Sequence, residues 1–89
     1  MTAGFTIQLR FFASVREQLG CSEQTVTLPP EVVTVGQVRQ WLIGRGGVWA
    51  VTLAQGRNLR AAYQQEMCDE SVEIADGHEV AFFPPVTGG

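Results

Sequence analysis

The chain has 89 residues, 45% of them hydrophobic, with a formal net charge of -3. This length and apolar content fit one small folded domain and exclude intrinsic disorder. The weakly acidic balance disfavours nucleic acid as a partner, because nucleic-acid binding rewards clustered basic residues. No apolar run could cross a membrane, no signal peptide is evident, and two isolated cysteines, Cys21 and Cys68, are too few for a disulfide scaffold. We therefore expect a cytoplasmic protein with no membrane partner.

The first third of the chain predicts two strands joined by a short helix. Two sets of residues alternate over 7–12, with Ile7, Leu9 and Phe11 on one face, and alternation recurs over 25–28, which is typical of half-buried strands. Between them, residues 13–19 have helical spacing and end at Gly20, a common helix stop.

The centre of the chain predicts the main helix. Thr34 and Gln37 form a capping-box signature, and apolar residues then recur at helical spacing over 35–42. The glycine-rich stretch 44–47 indicates a helix exit rather than a phosphate-binding loop. A second short helix is predicted around 49–53.

The last third predicts further strands over 59–63, 65–68 and 78–83, with a turn at Asp76-Gly77. The order of elements indicates an α+β fold, in which a mixed sheet carries one main helix on one face. The opposite face of the sheet must then be solvated or bound to a partner.

Two aromatic residues are predicted on that helix-free face. If Phe11 and Phe82 point into the core, strand alternation sends their neighbours Phe12 and Phe83 outward. Two exposed aromatics on one face would form a partner-binding patch. The alternative is that one of them closes the edge of the core.

The sequence contains no catalytic constellation. Its one histidine, His78, is predicted to be exposed beside a turn, with no Cys or Ser placed for activation. An acidic stretch is interpreted as a solvated rim in preference to a metal site; its carboxylates are Asp69, Glu70, Glu73, Asp76 and Glu79.

The C-terminal residues predict a projecting arm with a functional role. Pro84 and Pro85 cannot continue a central strand, and residues 86–89 end in Gly88-Gly89. We expect a single domain over 1–83 and a flexible tail over 84–89. A carboxylate reacts only after activation, and glycine allows an activating enzyme close access to the backbone.

Two segments closely resemble the small subunits of molybdopterin synthases, which are sulfur carriers with a ubiquitin-like β-grasp fold. They are residues 9–17, LRFFASVRE, and residues 76–89, DGHEVAFFPPVTGG. The sequence departs from this family's pattern at Tyr63-Gln64, where the family often has Val-Asn.

The resemblance implies a mechanism centred on Gly89. An ATP-dependent adenylyltransferase of the ubiquitin-activating type would adenylate its carboxylate, and a cysteine desulfurase or related sulfur donor would convert it to a thiocarboxylate. The sulfur would then pass to cyclic pyranopterin monophosphate in molybdenum cofactor biosynthesis. The pterin active site would lie on the large subunit, in a heterotetramer of two small and two large subunits. The chain would be a non-catalytic carrier with no permanently bound cofactor and no metal.

The resemblance also implies site residues. Apolar contacts to partners would come from Phe12, Met67 and Phe83, continued by Pro84 and Pro85, while Val86, Thr87 and Gly88 would form the arm that carries Gly89. Two alternatives stay open. One is a sulfur carrier for thiazole or thionucleoside synthesis, or a protein modifier with the same fold. The other is a ubiquitin-like interaction module whose tail is incidental.

Overall fold

The computed structural model describes residues 4–85, which fold into five strands and three helices. The strands are β1 (Thr6–Phe11), β2 (Glu23–Thr27), β3 (Arg60–Tyr63), β4 (Glu66–Cys68) and β5 (Glu79–Phe83), and the helices are α1 (Ala13–Leu19), α2 (Val35–Ile43) and α3 (Gly47–Thr52). Within this range, no helix is long and apolar enough to span a membrane.

The strands form one mixed sheet in the order β2-β1-β5-β3-β4. The central strand, β5, runs parallel to its neighbour β1, and the other neighbouring strands pair antiparallel. Leu9 is opposite Val80 and Phe11 is opposite Phe82. Because the two strands run parallel in this register, their C-terminal ends lie next to each other. The residues that follow them, Phe12 and Pro84, therefore start from the same end of the sheet.

The hydrophobic core lies on one face of the sheet, where residues of the strands meet the helices. Helix α2 contributes Val35, Val38 and Leu42, all fully buried, and α1 contributes Val15. The strands contribute Ile7, Leu9, Phe11, Val26, Ala61, Val80 and Phe82. The predicted α+β fold with its main helix on one face is therefore confirmed.

The predicted capping box starts α2. The Thr34 hydroxyl accepts a hydrogen bond from the Gln37 amide N–H at 3.2 Å, and the Gln37 side-chain oxygen accepts one from the Thr34 N–H at 3.1 Å. Two of the otherwise unpaired N–H groups at the helix start are thereby satisfied.

Some predicted boundaries shift by one or two residues. Strand β2 begins at Glu23 rather than residue 25, because its pairing with Arg10 of β1 extends the ladder beyond the alternating apolar residues. Helix α3 begins at Gly47, two residues before the predicted start. Gly46 and Gly47 have φ of +75° and +54°, which turn the chain sharply between α2 and α3.

One side chain of α2, Arg39, is buried and ties the helix to two distant loops. Its guanidinium donates to the carbonyl oxygens of Leu53, Ala54 and Arg57 at 2.7, 2.6 and 3.1 Å. It also pairs with the Glu70 carboxylate at 2.6 Å. This network fixes the segment after α3 and the segment after β4 against the same helix.

Candidate docking groove and tail

Phe12 and Phe83 lie on the face of the sheet opposite the helices. Their ring centroids are 6.4 Å apart, and the rings meet edge to face at 78°. Phe12 is 41% exposed, and Phe83 is half-buried. The predicted pairing of these two aromatics on one face is confirmed, and neither belongs to the core cluster.

The two rings form one wall of an apolar groove of about 610 Å³. Its floor includes Ala62 of β3 and Ala81 of β5, which are directly opposite each other in the sheet and are both buried. Because alanine side chains are short, they leave a depression where larger residues would fill the face. A volume of this size is within the range of ligand and docking pockets.

Met67 is on the same face but outside the groove. It is paired with Ala62 across β3 and β4, and its side chain is 65% exposed. Its exposed thioether extends the apolar surface toward the free edge of β4. The groove residues and Met67 thus form one surface, which we name the docking face: Phe12, Ala13, Ala62, Gln65, Met67, Glu79, Ala81, Phe83, Pro84 and Pro85.

Backbone strain is concentrated around this face. Within residues 4–85, the non-glycine residues with positive φ are Ala13 (52°), Gln64 (51°) and Gln65 (68°). Ala13 and Gln65 line the groove. Gln64 is hydrogen-bonded to the backbone of Glu79, another groove residue, at 2.7 and 3.0 Å. Such strain is found disproportionately at functional sites.

The acidic stretch 69–79 is only in part the solvated rim that was predicted, because Asp69, Glu73 and Asp76 are exposed but Glu70 and Glu79 are half-buried. Glu70 is paired with the buried Arg39, and Asp76 accepts a hydrogen bond from the Thr6 N–H at 2.7 Å. Hydrogen bonds from the Ser71 hydroxyl and N–H hold the pKa of Asp69 below its usual value. Glu70 and Asp76 thus have structural partners in distant segments, whereas the partner of Asp69 is its near neighbour Ser71. Within residues 4–85, no group of three or more His, Cys, Asp or Glu residues could hold a metal ion.

His78 also differs from its predicted exposed position. It is half-buried, its ring lies against Tyr63 with centroids 5.4 Å apart, and its Nδ1 is hydrogen-bonded to the Tyr63 hydroxyl. Tyr63 lies on β3, so the contact depends on pairing between β3 and β5. His78 therefore has a packing role at the start of β5.

Pro84 and Pro85 line the groove immediately after β5, so the chain leaves the sheet beside the docking face. The predicted arm residues Val86, Thr87, Gly88 and Gly89 lie outside the described residues. The position of Pro85 nevertheless fixes where the arm begins. An occupant of the groove would lie next to that point.

Comparison with known proteins assigns this chain to a protein family. Residues 9–89 match the family model of the ThiS family. The chain belongs to the ThiS family. Over 83 residues it is 41% identical to the "Molybdopterin synthase sulfur carrier subunit" of Escherichia coli, covering 93% of this chain and 99% of that protein. The predicted resemblance is therefore confirmed.

Solved structures agree on the fold of this ThiS-family chain. The small archaeal modifier protein 1 of Haloferax volcanii superposes with a TM-score of 0.73 at 23% identity, covering 93% of this chain and all of that one. A second match is a chain from the complex of subunits 1 and 2 of the molybdopterin-converting factor from Helicobacter pylori. It superposes with a TM-score of 0.63 at 20% identity, covering 96% of this chain and 100% of that one. The ubiquitin-like β-grasp fold is confirmed.

Proposed function

We propose that this ThiS-family chain is the sulfur-carrier subunit of a molybdopterin synthase, with the Gly89 carboxylate as the group that carries sulfur. The observation that carries the proposal is the apolar groove beside the exit of the arm. A partner seated against Phe12 and Phe83 would hold Pro84 and Pro85 in place. The arm from Pro84 to Gly89 could then reach about 20 Å into that partner.

The name of the Escherichia coli relative supports the same function, since the similarity extends over nearly the whole of both chains. The Helicobacter pylori structure is a complex of subunits 1 and 2, which supports a large-subunit partner for this chain. We infer a heterotetramer of two small and two large subunits. Two cysteines, Cys21 and Cys68, are free, which suits a reducing cytoplasm.

The chemistry requires activation by another enzyme. The Gly89 carboxylate attacks the α-phosphate of ATP on a ubiquitin-activating-type adenylyltransferase, and pyrophosphate leaves. A persulfide of a cysteine desulfurase or related donor then attacks the acyl adenylate and releases AMP. Reductive cleavage of the resulting acyl disulfide by a thiol leaves the thiocarboxylate.

In the synthase, the thiocarboxylate sulfur attacks a carbon of cyclic pyranopterin monophosphate; as the C–S bond forms, the bond from that carbon to its oxygen substituent breaks, and the departing oxygen takes the electron pair and a proton. Water then hydrolyses the thioester between the sulfur and Gly89, which leaves sulfur on the pterin and regenerates the carboxylate. A thiocarboxylate suits this role because it is a soft nucleophile and its acyl group is hydrolysable. Acid–base groups and the pterin pocket belong to the large subunit in this scheme.

The position of the terminal carboxylate is the sharpest test. Deleting Gly89, or adding one alanine after it, should abolish molybdopterin formation in a reaction reconstituted with the large subunit, adenylyltransferase, ATP and sulfur donor. Both variants should unfold at the wild-type temperature, since residues 86–89 follow the last strand. Wild-type activity in either variant would overturn the proposal and favour an interaction module with an incidental tail.

A further inference from the structure

The docking face contains one carboxylate, Glu79, whose environment is unusual. Glu79 is the first residue of β5 and lines the apolar groove on the same face as Ala81 and Phe83. Its side chain is only 17% exposed. A carboxylate in such a position normally needs several hydrogen-bond donors, because removing it from water is costly.

Within residues 4–85, Glu79 has one ionic contact and no hydrogen bond to its side chain. The contact is with Arg10 Nη1 at 3.8 Å, which is too long for a hydrogen bond. Arg10 also contacts Glu23 at 3.8 Å and stacks over the Phe12 ring, 5.4 Å from its centroid. The three charged groups carry a net charge of −1, so this part of the face lacks one positive charge.

Arg10 does not form a hydrogen bond with the Glu79 carboxylate, and its own hydrogen-bonding groups are not all paired. Its Nε is buried and has no acceptor among the described residues, although two carboxylates lie nearby. The Glu79 backbone is held by Gln64, whose side-chain oxygen accepts from the Glu79 N–H at 2.7 Å. Glu79 is therefore fixed in position while its carboxylate still has free acceptor capacity.

Covering the groove would remove the remaining water from this carboxylate. A partner that supplied only apolar groups would leave a buried, poorly paired charge, which is strongly unfavourable. A partner that supplied a cation would neutralise it and use the spare lone pairs.

We propose that Glu79 is a specificity-determining residue of the docking face, and that it accepts a lysine or arginine side chain from the large synthase subunit. This inference rests on the proposed function, because it assigns the partner of the same surface. The apolar residues provide contact area, and Glu79 selects a partner with a cation at the matching position. A competing partner without that cation is disfavoured by the unpaired charge.

The test measures the Kd between the purified large subunit and each small-subunit variant by titration calorimetry. Glu79→Gln keeps the shape of the side chain and removes its charge, and should raise Kd by about tenfold to a hundredfold. Glu23→Gln is the matched control. Glu23 contacts the same Arg10, but its side chain is 72% exposed and does not line the groove, so Kd should stay within about twofold.

Three outcomes separate the two proposals. The role of Glu79 would be overturned if Glu79→Gln bound the large subunit as tightly as the wild-type chain does, or more tightly. This reading requires that the wild-type chain binds and that Phe83→Ala binds weakly in the same assay. No binding by the wild-type chain would instead contradict the proposed function itself. Should Glu79→Gln fail to fold, the salt dependence of wild-type binding decides: weakening with added salt supports a charge pair, and salt-independent binding overturns it.

Discussion

Phe12 and Phe83 meet edge to face on the helix-free side of the sheet, with ring centroids 6.4 Å apart. Phe12 directly follows β1, and Phe83 ends β5, so the contact depends on the parallel pairing of these two strands. The same pairing places the exit of the arm beside the aromatic pair. In the proposed function, docking and delivery of the arm are therefore linked through Phe83.

Replacing Phe83 should affect association more than folding. Phe83→Ala removes a ring pair that is worth about 0.5–1.5 kcal/mol beyond area burial, together with the apolar area of a half-buried ring, and it should lower the free energy of unfolding by about 1–2 kcal/mol. Because Phe83 is proposed as an aromatic anchor of the interface, its replacement should weaken the binding free energy to the large subunit by about 2 kcal/mol or more. Calorimetric titration and urea unfolding give the two values.

The control for Phe83 is Val51→Ala. Val51 is 66% exposed on α3, on the other side of the sheet from the groove, and its replacement should change neither quantity measurably. A large loss of folding stability in Phe83→Ala with unchanged binding would show that Phe83 serves the core instead of the docking face.

The hairpin between β3 and β4 should become more stable when its strain is relieved. Gln65 has φ of +68°, which costs a non-glycine residue roughly 1–2 kcal/mol. Glycine removes this cost but adds about 0.5–1 kcal/mol of backbone entropy, so Gln65→Gly should raise the free energy of unfolding by about 0.5–1 kcal/mol. Urea denaturation measures the change.

The matched control is the same substitution in a helix. Gln40 is exposed on α2, and Gln40→Gly should lower the free energy of unfolding by about 1 kcal/mol. If both substitutions destabilised the protein equally, the left-handed conformation of Gln65 would impose no cost.

Arg39 should be the most sensitive charged residue for folding. Arg39→Met leaves three carbonyl oxygens and the Glu70 carboxylate without their shared donor, and it should lower the free energy of unfolding by about 3–5 kcal/mol. Arg45→Met is the control. Arg45 is exposed and lies over the Trp41 and Trp49 rings, so its loss should cost about 1 kcal/mol. Equal urea midpoints for the two variants would refute the role of Arg39.

The thiol of Cys68 should react more slowly than an ordinary thiol. Partial burial, and secondarily the nearby charge of Asp69, raise its pKa above the usual 9.0. The thiol form is thus favoured in the folded state, and its contribution to stability is present below pH 9.0 and lost as pH rises through the raised pKa. In a Cys21→Ser chain, the pH midpoint of alkylation should lie above 9.0. A midpoint at or below that value would contradict the prediction.

Local features of the fold could be predicted well from the sequence. The capping box of Thr34 and Gln37 involves neighbours in the chain, and strand alternation alone placed Phe12 and Phe83 on one face. Features that join distant segments could not. The groove floor needs Ala62 and Ala81 in register on separate strands, and Arg39 bonds to groups 14–31 residues away.

The signal for the missed features was present but ambiguous. Ala61 and Ala62 lower the strand propensity of the predicted third strand. In the structure, the small side chain of Ala62 forms part of the groove floor. An arginine among the apolar residues of α2 gives no indication of its acceptors. The roles of residues 86–89 came from the family resemblance and depend on chemistry that partners perform.

The central claim is that Gly89 carries sulfur, and the mass of the intact chain tests it most directly. After incubation with the adenylyltransferase, ATP and a sulfur donor, the account predicts a mass increase equal to replacement of one oxygen by sulfur, located at Gly89 by fragmentation. The chain that lacks Gly89 should show no increase. An unchanged mass for the full chain, with partners that sulfurate a known carrier in parallel, would contradict the account.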